Sequence, residues 1–142
     1  MRAKILLVDD EEKFVETLAE RLEARGMAVR TAFSGEEALE KIREKDADVV
    51  VLDVLMPGKS GIDTLREIKQ IKPLTEVIML TGHATVETAI DGMKLGAYDY
   101  LMKPTETPEL VEKISKAYKR KREHEERIQQ AEIERIARSK GW

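Results

Sequence analysis

The strongest constraint on this chain is a rhythm of five short apolar runs, each followed by an amphipathic stretch. The runs are KILLV at 4–8, MAVRTA at 27–32, DVVVL at 48–52, EVIML at 76–80 and YDYLM at 98–102. Three of them are rich in Val, Ile or Leu without alternation, the pattern of strands covered on both faces. The stretches between them read as helices. Phe14, Leu18 and Leu22 share one face ahead of a stop at Gly26. Ser34, with Glu37 three residues on, predicts a capping box opening a helix that runs to about Lys45. Ile62, Leu65 and Ile68 mark a third helix, and Thr85 to Leu95, closed by Gly96, a fourth. Thr107 followed by Pro108 reads as an N-cap with proline at the first helical position of a fifth. Strict β–α alternation with short connections implies an α/β fold: a doubly wound (βα)5 with a parallel sheet, helices on both faces and right-handed crossovers.

At 142 residues the chain has the length of one domain, and 42% hydrophobic residues suffice for a core. A net charge of -3 advertises neither a nucleic-acid nor a membrane surface. The absence of cysteine removes disulfides, thiolate nucleophiles and Cys-based metal sites from consideration. The apolar run at the N-terminus stops at Asp9, too short for a signal peptide, so a cytoplasmic location and no membrane partner are expected. After about Tyr118 the composition changes. Residues 119–142 hold eight basic and five acidic residues, so this tail carries +3 while the whole chain is negative. It reads as an extension of the fifth helix or as a linker beyond a domain spanning 1–118. Ile128, Ala131 and Arg135 mark one coiled-coil seam and Ile133 and Ile136 a neighbouring one, both too short to decide between a dimerisation stub and a linker. The run Lys119 to Arg122 is basic, but acidic residues follow at once, and a solvated face with no direct nucleic-acid binding is expected.

In a parallel sheet of this kind the functional crevice lies beyond the carboxyl ends of the strands. Strand one delivers Asp9 and Asp10 there, strand three Asp53, strand four Thr81, and strand five Lys103. Carboxylates gathered in one place raise one another's pKa unless a cation intervenes. A hard divalent ion with oxygen ligands, Mg²⁺ first, suits such a set, with Lys103 as a further point charge. Each piece has a plainer reading: Asp10 as a helix cap, Thr81–Gly82 and Met56-Pro57-Gly58 as turns, Lys103 as a solvated lysine. Asp53 is the exception, because a lone aspartate closing a VVVL strand has no structural task.

LLVDDE (6–11), VLDVLMPGKSG (51–61), LTGHA (80–84) and GAYDYLMKP (96–104) together resemble the receiver domain of two-component response regulators, over roughly residues 3–118. The run from Thr81 to Pro104 is most similar to receivers attached to sigma-54-type transcriptional activators. The resemblance implies a flavodoxin/CheY-like fold with strand order 2-1-3-4-5. It implies that Asp53 accepts a phosphoryl group from a histidine kinase, and that Asp9, Asp10, Asp53 and the backbone carbonyl of Leu55 hold Mg²⁺. Thr81 and Lys103 would contact the phosphoryl oxygens, Tyr100 would turn inward on activation, and the Lys103–Pro104 bond would be cis. Leu55 and His83 match positions that gate the hydrolytic water. The output would be a change in the surface formed by 84–118, with homodimerisation through that face or through the tail. Such a protein is a switch rather than a turnover enzyme; a phosphorelay intermediate that hands its phosphoryl group to a histidine phosphotransfer protein fits the same residues. A flavodoxin-like FMN carrier would need a phosphate-cradling loop where Asp9 to Glu12 stand. A haloacid-dehalogenase-like phosphatase would need a second aspartate where Leu55 stands.

Overall fold

The computed structural model describes residues 2–82 and 85–141. Its order is β1 (Lys4–Val8), α1 (Glu12–Glu23), β2 (Ala28–Ala32), α2 (Gly35–Glu44), β3 (Val49–Leu52), α3 (Gly61–Ile71), β4 (Glu76–Thr81), α4 (Val86–Lys94), β5 (Asp99–Met102) and α5 (Thr107–Ser139). The five strands are all parallel and lie in the order β2-β1-β3-β4-β5. The expected (βα)5 sheet is therefore present, with its helices divided between two layers.

Strand alternation sorts the core into two clusters. Leu6, Val8, Val50, Leu52, Val77 and Met79 face α2 and α3, while Ile5, Leu7, Val49, Val51, Ile78 and Leu80 face α1 and α5. All four residues of β3 and all six of β4 are buried, which explains why these runs show no polar alternation.

The helix starts refine the sequence reading. The Ser34 side chain accepts from the Glu37 amide as expected. The return bond is displaced, however: the Glu37 carboxylate accepts from the Phe33 amide instead of that of Ser34. Asp10 does not cap α1; Glu11 holds that position and makes no side-chain cap. Thr107 is the first residue of α5 rather than its N-cap, a role that falls to Glu106. Its hydroxyl instead accepts from Arg21 on α1 at 3.5 Å.

The tail runs on as one helix to Ser139. Its basic run is not simply solvated. Arg120 pairs with Glu76, and Lys121, only 8% exposed, donates to Asp48 at 3.0 Å. Lys119 lies 3.9 Å from Glu123. These ion pairs use up positive charge that the sequence alone leaves available to an anionic partner.

Gly61 ties the start of α3 to the loop after β3. Its amide donates to the Val54 carbonyl at 2.9 Å, and a Cβ there would fall on the backbone of Asp53 and Val54. Gly61→Ala is expected to destabilise the protein by roughly 2–4 kcal/mol in urea unfolding, because neither backbone segment can yield cheaply. Gly26 has φ of 88° and open space around it. Gly26→Ala should therefore cost only about 1 kcal/mol, from left-handed backbone strain.

Candidate functional site

The site is built by strand ends that leave the sheet in step. The Asp53 amide donates to the Val8 carbonyl at 3.0 Å, the Asp9 amide to Ala32 at 3.1 Å, and the Lys103 amide to Thr81 at 2.9 Å. Each functional residue is thus held by backbone pairing to the neighbouring strand. Period-two alternation then chooses the face. Asp9 follows Leu7, Asp53 follows Val51 and Lys103 follows Leu101 at two-residue spacing, all from the cluster that faces α1 and α5. Thr81 follows Val77 and Met79, which belong to the other cluster, as does Tyr100.

Asp9, Asp10 and Asp53 each present an oxygen within 4.8 Å of the others. Asp9 and Asp53 are buried, while Asp10 is exposed at the rim. Lys103 is the counter-charge. Its Nζ donates to Asp9 Oδ2 at 2.5 Å, lies 3.3 Å from Glu11 and 4.0 Å from Asp53 Oδ2. The same ammonium sits 4.3 Å from the centroid of the Phe14 ring, a cation–π contact supplied by α1. The Lys103–Pro104 bond is cis, as expected.

The electrostatics follow from burial. Desolvation raises the pKa of the Asp53 carboxyl above its ordinary value. A hydrogen bond from Thr81 opposes the rise, Asp9 adds to it, and Lys103 and the Leu55 amide oppose it in turn. The Leu55 amide donates to Asp53 Oδ1 at 3.3 Å. Burial by itself would lower the pKa of Lys103. Asp9, Asp53 and Glu11 more than offset that, so the ammonium is held above its usual value. Three carboxylates with all-oxygen donor atoms, two of them buried beside one lysine, fit a hard divalent cation by charge and donor type.

Thr81 is fully buried, and Tyr100 is half-buried against the cluster under α3. The strand register sets Met79 beside Tyr100 and Thr81 beside Met102. Leu55 is 55% exposed beside Asp53. His83 and Ala84, named above for the water gate and the switching surface, lie outside the described residues. Two features escaped the sequence reading. Phe14 appears there only on the face it shares with Leu18 and Leu22, and Glu11 only as the last residue of the run LLVDDE. Both reach Lys103 across about 90 residues of sequence, a placement no local signal encodes.

Comparison with known proteins adds three findings. Residues 5–115 match the response regulator receiver domain family. The chain is 41% identical over 119 residues to the transcriptional regulatory protein ZraR of Salmonella typhimurium, covering 84% of this chain and 27% of ZraR. It is 45% identical over 111 residues to the transcriptional regulatory protein CpxR of Escherichia coli, covering 78% of this chain and 47% of that protein. The chain therefore spans between about a quarter and a half of these relatives. Among solved structures, a response regulator receiver domain protein from Clostridium thermocellum superposes with a TM-score of 0.80 at 44% identity, covering 84% of this chain and 97% of that one. A CheY-like receiver domain protein from Methanospirillum hungatei superposes with a TM-score of 0.85 at 28% identity, covering 87% and 99%.

A raised pKa in the folded state means that ionised Asp53 costs the folded protein more than the unfolded chain. The stability this group contributes is fully present below its ordinary pKa and is lost as pH rises through the raised folded value. Asp53→Asn should therefore raise the melting temperature by a few degrees at neutral pH without divalent cation. Mg²⁺ at a hundredfold its dissociation constant should add about 2.7 kcal/mol to the wild type. It should add far less to Asp53→Asn or Asp10→Asn, so that in calorimetry the wild type then melts above Asp53→Asn.

Proposed function

The chain belongs to the response regulator receiver family, and from that membership we propose that it is a phospho-accepting signalling switch fed by a histidine kinase. The observation that carries this reading is the Asp53 carboxylate, buried at the end of β3 with Asp9 and Asp10 oxygens within 4.8 Å and the Lys103 ammonium 4.0 Å away. A carboxylate so placed attacks the phosphorus of a phosphohistidine. The P–N bond breaks as the aspartyl O–P bond forms, and the imidazole leaves with its electron pair. Phosphoryl transfer needs positioning and charge neutralisation more than covalent help. Asp9, Asp10, Asp53 and the Leu55 carbonyl are the residues that would hold Mg²⁺. Bound there, it would neutralise charge on the phosphoryl oxygens. Lys103, already oriented by Asp9 and Phe14, would pair with those oxygens as well.

The switch follows from the same geometry. The Thr81 hydroxyl now bonds to the Asp53 carboxylate; once Asp53 is esterified, it turns to a phosphoryl oxygen. Tyr100, on the same face of the sheet as Thr81, moves into the space that opens, and the surface of residues 84–118 changes with it. Residues 1–118 carry this switch and 119–142 form a helical extension. Two copies pair through the 84–118 face or through the tail. The chain turns over no external substrate and promotes only its own phosphorylation and slow dephosphorylation. It works in the cytoplasm without a membrane partner, and these 142 residues make no direct contact with nucleic acid. Among the described residues no helix is long and apolar enough to cross a membrane.

Intact mass after incubation with acetyl phosphate and Mg²⁺ tests the reading. One phosphoryl adduct is expected, dependent on Mg²⁺ and missing from Asp53→Asn. No adduct, with Mg²⁺ binding intact and hydrolysis shown to be slow, would overturn it. Transfer of the label to a histidine phosphotransfer protein would make the chain a relay intermediate instead of an output switch. Thr81→Ala should keep the adduct but lose most of the amide shifts that phosphorylation causes in α4 and β5, read by NMR.

A further inference from the structure

At the end of the sheet opposite the phosphorylation site, three charged side chains of the body meet the start of the tail. Glu76, the first residue of β4, is only 2% exposed and lies between Lys69 of α3, at 3.7 Å, and Arg120 of α5. The Arg120 guanidinium also stacks 4.6 Å from the centroid of the Tyr98 ring. One residue on, Lys121 reaches Asp48, just before β3, at 3.0 Å and Glu125 at 3.3 Å. The second Asp48 oxygen accepts from the Lys4 amide at 2.8 Å, and the Asp48 carbonyl accepts from the Glu76 amide at 3.1 Å. Strands β1, β3 and β4 thus converge on one knot of charge that grips two consecutive residues of α5.

We infer that Arg120 and Lys121 belong to the body and that residues 119–125 form the root of a rigid arm, whose direction is set by Glu76 and Asp48. The arm is not a flexible linker starting after Tyr118. The apolar stripe Leu110, Ile114 and Ala117 continues into Lys121, so apolar packing and the ion pairs lie on one line along the helix. Apolar packing alone leaves a helix free to rock about its stripe. Two carboxylates, Glu76 buried at the start of β4 and Asp48 part-buried just before β3, each gripping a different residue, remove that freedom. A buried ion pair adds little net stability but strongly disfavours arrangements that unpair it, so its effect here is on orientation. Glu76 and Asp48 stand at the start of the segments whose far ends present Thr81 and Asp53. The arm is therefore keyed to the strands that carry the site. This inference stands whether or not Asp53 is phosphorylated.

The chain has no cysteine, so spin labels can be placed uniquely at Arg43→Cys on α2 and Gln130→Cys on the arm. The full chain should give one narrow distance distribution. Replacing the grips with Arg120→Met and Lys121→Met, both good helix formers, should at least double its width while leaving amide protection in β1 and β3 unchanged. An unchanged width in the folded double variant would overturn the inference. Hydrogen exchange on the wild-type chain gives a second reading independent of that variant's folding. Amides 119–125 should be protected to within about tenfold of amides 110–117, with 130–139 exchanging much faster. Fast exchange beginning at residue 119 would overturn it equally.

Discussion

The chemistry of this protein depends on the Lys103 ammonium. Burying Asp9 and Asp53 side by side at the end of a sheet is unfavourable, because each loses water and repels the other. Lys103 enters from β5, bonds to Asp9 at 2.5 Å and comes within 4.0 Å of Asp53. Without it no positive charge among the described residues of the crevice would offset the repulsion between the two carboxylates. With it, a strongly acidic crevice persists at neutral pH, and one carboxylate is left poorly compensated. That residue is Asp53, whose pKa stays raised even with Thr81 and Lys103 beside it. A buried carboxylate short of positive charge is one from which a bound cation gains most.

The sheet separates the site residues into two sets. Asp9, Asp53 and Lys103 lie on the side of α1 and α5, whereas Thr81 and Tyr100 lie on the side of α3 and α4. At the site, Thr81 of the second face bonds to the first through the Asp53 carboxylate. An event at Asp53 can therefore reach the other face by a single hydroxyl. The element that lies there is loosely held. α4 buries only Gly92, and Val86, Ile90 and Met93 are 77%, 47% and 46% exposed. A helix with so little buried apolar surface shifts at low cost.

The opposite end of the sheet is built differently. Its charges pair with one another, Glu76 with Lys69 and Arg120, and Lys121 with Asp48 and Glu125. Both ends bury carboxylates at strand termini. At the Asp53 end three carboxylates share one lysine, and at the other end three carboxylates are matched by three cations, Lys69, Arg120 and Lys121. The first arrangement invites a ligand and the second excludes one.

By itself the sequence determined the α/β alternation, the parallel sheet and the residues at the strand ends, because fully buried strands and capped amphipathic helices leave local periodic marks. Asp53 stood out there for the same reason: a carboxylate after VVVL contradicts its surroundings. Where local marks were short, the reading slipped by a residue or a bond, as at Thr107 and at the Glu37 return bond. The reach of Phe14 and Glu11 to Lys103, and the burial of Lys121 against Asp48, were decided only by the tertiary structure. These contacts join residues some 70 to 90 positions apart, and a lysine in a basic run carries no local sign that it will fold inward. The division of Asp9, Asp53 and Lys103 from Thr81 and Tyr100 between two faces was likewise settled by packing. Alternation says which residues share a face, but only the helices laid against the sheet decide what each face meets.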